Sequence, residues 1–299
     1  MGKRIFNYQF NKYLLLVIII VLPHFNCSGV PEKQPGMKTY VFKTIGHNKL
    51  KLYVFQPTRQ QEEESVPAIV FFHGGGFSGG KVSQFESQCK YLASRGMVSV
   101  LAEYRLTNRH SITPFESVED AKSAIRWVRA HANELGVDEN RIVAGGGSAG
   151  GDLAACTALI NGYDDDNEDQ TISSIPNALV LFNPVLNFPE SFMKTANKYH
   201  GEWLNKATEI SPMHNVHKGA PPTIIFHGTE DESVPFNHAI EFCEEMKKYG
   251  NNCEVVPFEG RKHGFFNYHV SEMDYHATMK LTENFLSSIG YLKLDTIIN

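Results

Sequence analysis

The chain has 299 residues, 42% of them hydrophobic, and a formal net charge of −5. That length suffices for one large α/β core, and the balance describes an ordinary globule. No basic run interleaved with aromatics suggests nucleic acid, and five cysteines without C-x-x-C spacing imply neither a zinc site nor a disulfide scaffold.

The N-terminus reads as an export signal. Lys3, Arg4 and Lys12 precede the apolar run at 13–22, and Pro23 ends it. A basic start with about ten apolar residues is signal-peptide anatomy, whereas a spanning helix needs roughly twenty. Three outcomes stay open. Cys27 sits where a lipid-modified cysteine would, giving a lipoprotein signal over 1–26, although His24, Phe25 and Asn26 depart from the usual approach. Cleavage after Gly29, with Cys27 at −3, would release a soluble secreted protein, and an uncleaved anchor is the third. The corresponding locations are periplasm or outer membrane, the latter through a lipid anchor, or the medium. Residues 30–38, with two prolines and a glycine, read as a linker, and the catalytic domain is expected over 39–299.

From there, strand and helix signals alternate. Runs at 39–45 and 49–56, joined by Gly46-His47-Asn48, predict a hairpin. The polar stretch 57–65 is a solvated loop. Residues 68–72 are continuously apolar, as in a strand covered on both faces. They end at His73-Gly74-Gly75-Gly76-Phe77. A helix over 83–95 and a strand over 97–102 follow. Val118, Ala121, Ile125, Val128 and Ala132 keep helical spacing. The acidic stretch 161–174 lacks the EF-hand spacing, glycine and terminal glutamate, and reads as a solvated loop. Strands at 178–182, 223–226 and 254–258, with helices at 237–249 and 271–289, complete an α/β fold. The expected sheet is mostly parallel and eight-stranded, with helices on both faces. Cys156 and Cys243 read as small core residues on apolar helix faces; a Cys243–Cys253 bridge is the alternative.

Residues 185–219 do not fit the alternation. They carry Phe188, Phe192, Tyr199, Trp203, Leu204 and Met213, and are too long for a plain connection. A small lid over the site is expected, against a crossover helix with long flanks.

The chemistry centres on the glycine-rich run at 145–151, between the β-branched run 141–144 and the helix-forming run 152–159. Ser148, with Gly146 and Gly150 at −2 and +2, has the G-x-S-x-G pattern of a nucleophile elbow. Side chains at those glycines would collide with neighbouring backbone, and the strained turn lifts the serine hydroxyl out of the fold. A phosphate loop is excluded by the missing G-x-x-x-x-G-K-[ST] lysine. Serine needs a base, and the base needs an orienting acid. Sites in open α/β sheets gather at the carboxyl ends of strands. That filter selects His263, just past the last strand, and Asp231, just past the strand at 223–226. Glu230 is the rival acid, one residue out of phase. The order Ser148, Asp231, His263 is that of α/β-hydrolases. The glycines after His73 would supply oxyanion donors together with the amide of Ala149, His73 itself holding the loop.

The HGGGF run at 73–77, GGGSAGGDLA at 145–154, HGTEDESVP at 227–235 and KHGFFN at 262–267 resemble the hormone-sensitive-lipase-like α/β-hydrolases. Glu103-Tyr104-Arg105-Leu106 and Asn183-Pro184-Val185 extend the likeness, which is greatest to the acetyl esterase and acetylxylan or feruloyl esterase branch. The resemblance implies Ser148 as nucleophile, His263 as base, Asp231 as its partner, and Gly75, Gly76 and Ala149 as oxyanion donors. Gly147 stands where the family usually has aspartate. Phe77, Phe188 and Trp203 are the expected substrate contacts. The implied activity is hydrolysis of short acyl esters through an acyl-enzyme, with acetyl or feruloyl groups on polysaccharide as the expected substrate. No metal or organic cofactor is needed. The alternatives are a serine peptidase of the same fold and a catalytically silent ligand-binding relative.

Overall fold

The structure is a computed structural model that describes Pro31 and residues 36–57, 65–189 and 202–293. The expected export segment with Cys27, most of the expected linker, Phe192 and Tyr199 lie outside the described residues, as do the side chains of Trp203 and Leu204. Eight strands form one sheet: β1 (Met37–Ile45), β2 (Asn48–Phe55), β3 (Val66–Phe72), β4 (Val98–Ala102), β5 (Val137–Gly147), β6 (Ala178–Phe182), β7 (Thr223–Gly228) and β8 (Cys253–Phe258). Their spatial order is β1-β2-β4-β3-β5-β6-β7-β8. The hairpin β1–β2 and the β2–β4 pair are antiparallel, and every other pair is parallel. The expected α/β-hydrolase sheet is therefore present.

Seven α-helices accompany the sheet among the described residues: α1 (Glu86–Ser94), α2 (Thr107–His110), α3 (Pro114–Ala130), α4 (Ala132–Leu135), α5 (Ala149–Leu159), α6 (Phe236–Lys248) and α7 (Glu272–Ser288). The pleat sorts the core between two faces. Ala68, Val70 and Phe72 of β3 join Val118 and Ile125 of α3, Leu153 of α5 and Phe242 of α6. Ile69 and Phe71 of the same strand join Phe85, Leu92 of α1, and Met279 of α7. Each fully buried phenylalanine here contributes about 1.5–3 kcal/mol of transfer free energy.

Three expectations need correction. Helix α3 starts at Pro114, four residues before its first periodic apolar residue. Pro114 occupies N1, and the N–H of Thr113 donates to Glu116 Oε2 at 3.0 Å, so capping rather than hydrophobic spacing sets its start. The acidic stretch 161–174 is not simply solvated. Asp164 pairs with Lys122 at 2.6 Å, Glu168 with Arg126 at 2.6 Å, and Asp165 with Lys43 at 3.0 Å. The side chains of Lys43, Lys122 and Arg126 are almost entirely buried. Buried cations require counter-charges, and the acidic loop supplies them from across the fold. Finally, Cys243 is bonded to Cys253, with Cα atoms 5.2 Å apart. The turn between α6 and β8 brings the core face of the helix against the first residue of the strand.

Candidate active site

Ser148 stands between the end of β5 and the start of α5, at φ 56° and ψ −122°. A serine rarely adopts that backbone, and the surroundings hold it there. Its N–H donates to Phe182 O at 3.0 Å, and its carbonyl accepts from Asp152 N at 3.1 Å and Val185 N at 3.2 Å. The flanking glycines are dictated by space. A Cβ on Gly146 would lie 2.2 Å from Gly150 O, and one on Gly150 would lie 2.1 Å from Phe72 O. The amide of Ala149 begins the first turn of α5, where helical N–H groups have no intrahelical acceptor and the dipole is positive.

The loop after β3 lies against this turn. A Cβ on Gly74 would come 3.2 Å from Ser148 Cβ. Gly75 and Gly76 take φ of 130° and 60°, and Phe77 follows at 58°. His73 Nδ1 donates to Gly74 O at 2.7 Å, and Tyr104 OH donates to His73 O at 2.7 Å. Burial lowers the His73 imidazole pKa to about 4, so it is neutral at pH 7 and holds the loop.

The expected base and its expected acid partner meet at the ends of β7 and β8. His263 Nδ1 lies 2.7 Å from Asp231 Oδ2. The other carboxylate oxygen, Oδ1, accepts from Ser233 N and Val234 N, both at 2.9 Å. Burial opposes ionisation of Asp231, but hydrogen-bond donors at His227, His263 and Val234 N outweigh it and hold its carboxyl well below the usual carboxylate range. An ionised acceptor fixes the proton of His263 on Nδ1 and leaves Nε2 as the basic nitrogen. Glu230 is exposed, one residue out of phase with the imidazole. No hydrogen bond joins Ser148 Oγ to His263 among the described residues, and such contacts commonly tighten only with substrate bound.

Phe77 and Phe188, expected as substrate contacts, are both fully buried. Their rings meet edge to face at 5.6 Å, so they support the site from within the core rather than lining an open pocket. Phe188 belongs to the excursion after β6, which is stitched down at both described ends. Ser211 Oγ accepts from Phe188 N at 3.1 Å, and Met213 N donates to Leu186 O at 2.9 Å.

Three further residues shape the site beyond those given a role from the sequence. Gln84 accepts from Gly74 N at 2.7 Å and donates to Asn267 Oδ1 at 3.2 Å, while Asn267 Nδ2 donates to Gly264 O at 2.7 Å. One side-chain amide thus ties the oxyanion loop to the loop of His263. Asn183, buried at φ 33°, sets its Nδ2 3.2 Å from His263 Nδ1. His227, fully buried, has one Nε2 proton, which lies nearer Val234 O at 3.0 Å than Asp231 Oδ2 at 3.4 Å. It stiffens the turn that presents the acid. Asn183 and His227 lie within the family-like runs at 183–185 and 227–235, whereas no motif or spacing rule singles out Gln84.

Comparison with known proteins gives the family. The BD-FAE family model matches residues 52–246, which is most of the described fold. The chain belongs to the BD-FAE family. More broadly, this BD-FAE member is a hormone-sensitive-lipase-like α/β-hydrolase. It is 24% identical over 246 residues to a probable isoprenylcysteine alpha-carbonyl methylesterase of Arabidopsis thaliana, covering 76% of this chain and 50% of that one. It is 26% identical to esterase LipC of Mycobacterium tuberculosis, covering 79% and 64%. The chain thus spans half to two thirds of the length of these curated relatives. Among solved structures it is similar to Thermogutta terrifontis esterase 2 phosphorylated by paraoxon, with TM-score 0.80 and 46% identity, covering 88% of this chain and 98% of that one. The butyrate-bound form of that esterase matches equally well, with TM-score 0.80 and 45% identity, covering 88% and 97%.

Proposed function

We propose that this BD-FAE member is a serine carboxylesterase that hydrolyses short acyl esters, with acylated carbohydrate as its natural substrate. The observation that carries the reading is the 2.7 Å contact between His263 Nδ1 and a buried, ionised Asp231, formed at the same sheet edge as the strained Ser148. In the proposed cycle Ser148 Oγ attacks the ester carbonyl while His263 Nε2 takes its proton. The carbonyl oxygen becomes an oxyanion received by the N–H groups of Gly75, Gly76 and Ala149. Collapse of the tetrahedral intermediate expels the alcohol, which regains its proton from His263, and leaves an acyl-serine. Water, deprotonated by His263, then attacks the acyl carbon and releases the acid. Each oxyanion donor is worth roughly 3 kcal/mol of transition-state stabilisation.

The similar Thermogutta esterase has been captured with propionate and with butyrate, which supports a short acyl pocket here. Its phosphorylation by paraoxon is the behaviour of an activated nucleophile. We also propose that the protein is exported, as a lipoprotein through Cys27 or as a soluble form cleaved after Gly29. The Cys243–Cys253 bridge supports this, since such bonds persist in oxidising compartments. The test is a panel of p-nitrophenyl esters from acetate to decanoate, beside acetylated xylan and a peptide anilide. The reading expects kcat/KM to peak between acetyl and butyryl, acetate release from the xylan and no anilide cleavage. An optimum at decanoyl, or efficient anilide cleavage, would overturn it.

A further inference from the structure

We infer that a second ligand site, selective for an anionic, hydroxyl-bearing sugar such as a uronate, lies on the far side of the oxyanion loop from Ser148. A cavity of about 180 Å³ opens there. Antiparallel pairing brings the start of β2 beside the end of β4, where Glu103 N donates to Lys51 O at 3.0 Å, and the loop after β3 closes the third side. The loop itself separates the two sites. Gly74 faces the nucleophile, whereas a Cβ on Gly80 would press on His73 Nδ1 at 2.4 Å. At 10–15 Å³ per water-sized atom, the cavity of about 180 Å³ holds roughly 12 to 18. That is the scale of one sugar ring with its substituents.

The polar groups around it set the chemistry of the occupant. Lys49, Lys81 and Arg109 line the cavity, and none makes a side-chain hydrogen bond or ion pair among the described residues. The carboxylate in the same wall, Glu103, is already occupied: Oε2 accepts from Lys51 N at 3.0 Å and Oε1 from Tyr53 OH at 2.8 Å. Three uncommitted cations against one satisfied carboxylate favour an anion. The inner wall asks for something more. His73 is 5% exposed and lines the cavity. Its Nδ1 must carry the ring proton, because Gly74 O can only accept. The neutral ring therefore keeps Nε2 as an acceptor, with no partner among the described residues, and that atom can take a donor from an occupant. A ligand offering a carboxylate to the cations and a hydroxyl to His73 satisfies both, which acetate or a neutral sugar does not.

The test is calorimetric titration of the full chain with D-galacturonate, glucose, acetate and inorganic phosphate, repeated on the Lys81→Gln/Arg109→Gln double variant. Both residues are exposed and stand outside the catalytic machinery, so folding and hydrolysis of p-nitrophenyl acetate should be unchanged in the variant. Galacturonate should bind saturably and weaken at least about tenfold in the variant, since charge-assisted hydrogen bonds are lost. Added salt should weaken it further. Glucose, acetate and phosphate should each bind at least about tenfold more weakly than galacturonate. Absence of saturable galacturonate binding, equal binding by the double variant, or phosphate or glucose binding as tightly as galacturonate would each overturn the assignment. Because binding is read directly, a failure here is distinguishable from failure of the esterase reading, which is scored on hydrolysis.

Discussion

The residue before the nucleophile is the most informative place to perturb the chain. Gly147 stands where the family resemblance implies aspartate, and the structure gives a physical reason for glycine in this chain. A Cβ on Gly147 would lie 2.7 Å from Phe266 Cζ and 3.2 Å from Phe85 Cζ. A ring tip can normally swing aside, but Phe266 is 1% exposed and stacks on Phe85 at 5.4 Å and packs on Phe182 at 4.8 Å. Gly147→Ala therefore overpacks a closed aromatic stack, at a cost of about 1–3 kcal/mol. At roughly 2–4 °C per kcal/mol for a domain approaching this size, the midpoint should fall by ~2–12 °C. Phe266 is also three residues from His263, so relief of the clash moves the base. An ångström-scale misplacement costs on the order of a hundredfold, and kcat should fall at least about tenfold while KM changes little. Phe266→Leu in the same chain opens room for the methyl and should restore part of both losses, giving a coupling energy of at least about 0.5 kcal/mol in a double-mutant cycle. Thermal unfolding and p-nitrophenyl acetate kinetics on the four proteins provide the readout. A Gly147→Ala protein as stable and active as the parent, with additive effects in the cycle, would refute the packing argument.

Other perturbations have equally definite outcomes. Asp231→Asn removes the charge that fixes the His263 tautomer and should lower kcat by about four orders of magnitude with little change in KM, whereas Glu230→Gln should be nearly silent; the reverse order in steady-state kinetics would reassign the acid. Replacing Cys243 and Cys253 together by serine frees a loop of ten residues' separation, and loop-closure entropy predicts a loss of ~3 kcal/mol in denaturant unfolding, against no change if the bridge does not form in solution. Asp165 is held at about 2, its burial outweighed by hydrogen bonds from Asn167 N and Lys43. Its folded pKa lies below the ordinary 3.8, so its contribution is present above that value and is lost as pH falls towards about 2. Lys43→Met should lower stability at neutral pH and flatten this acid limb, and an unchanged pH profile would mean that the loop is not held by Lys43.

Much of this fold was legible because its signals are local. Continuous apolar runs such as 68–72, and the strand–turn–helix around Ser148, are determined by periodicity and by glycines with no room for a side chain. The carboxylate that reaches His263 was also legible: position 231, not 230, follows from where a strand end can aim its next side chain. What escaped was tertiary. Gln84 matters because its amide spans two loops 183 residues apart in sequence. The acidic loop docks because Lys43, Lys122 and Arg126 are buried beneath it, and no property of residues 161–174 encodes that. Cys243 read as a core residue because its helix face is apolar, which it is, while its partner lies past a turn whose geometry spacing does not fix. Phe77, an expected substrate contact, has its backbone at φ 58° and its ring turned into the core, which no sequence pattern around the glycines fixes.

The central claim is that Ser148 forms the covalent intermediate. Paraoxon carries a good leaving group and phosphorylates only an activated hydroxyl, so intact-protein and peptide mass spectrometry after brief treatment examines that claim at the atom concerned. The account predicts stoichiometric loss of esterase activity, one diethylphosphoryl adduct per chain on the peptide containing Ser148, and neither adduct nor hydrolysis in a folded Ser148→Ala protein. An adduct on another residue accompanying inactivation, or ester hydrolysis surviving in Ser148→Ala, would contradict it.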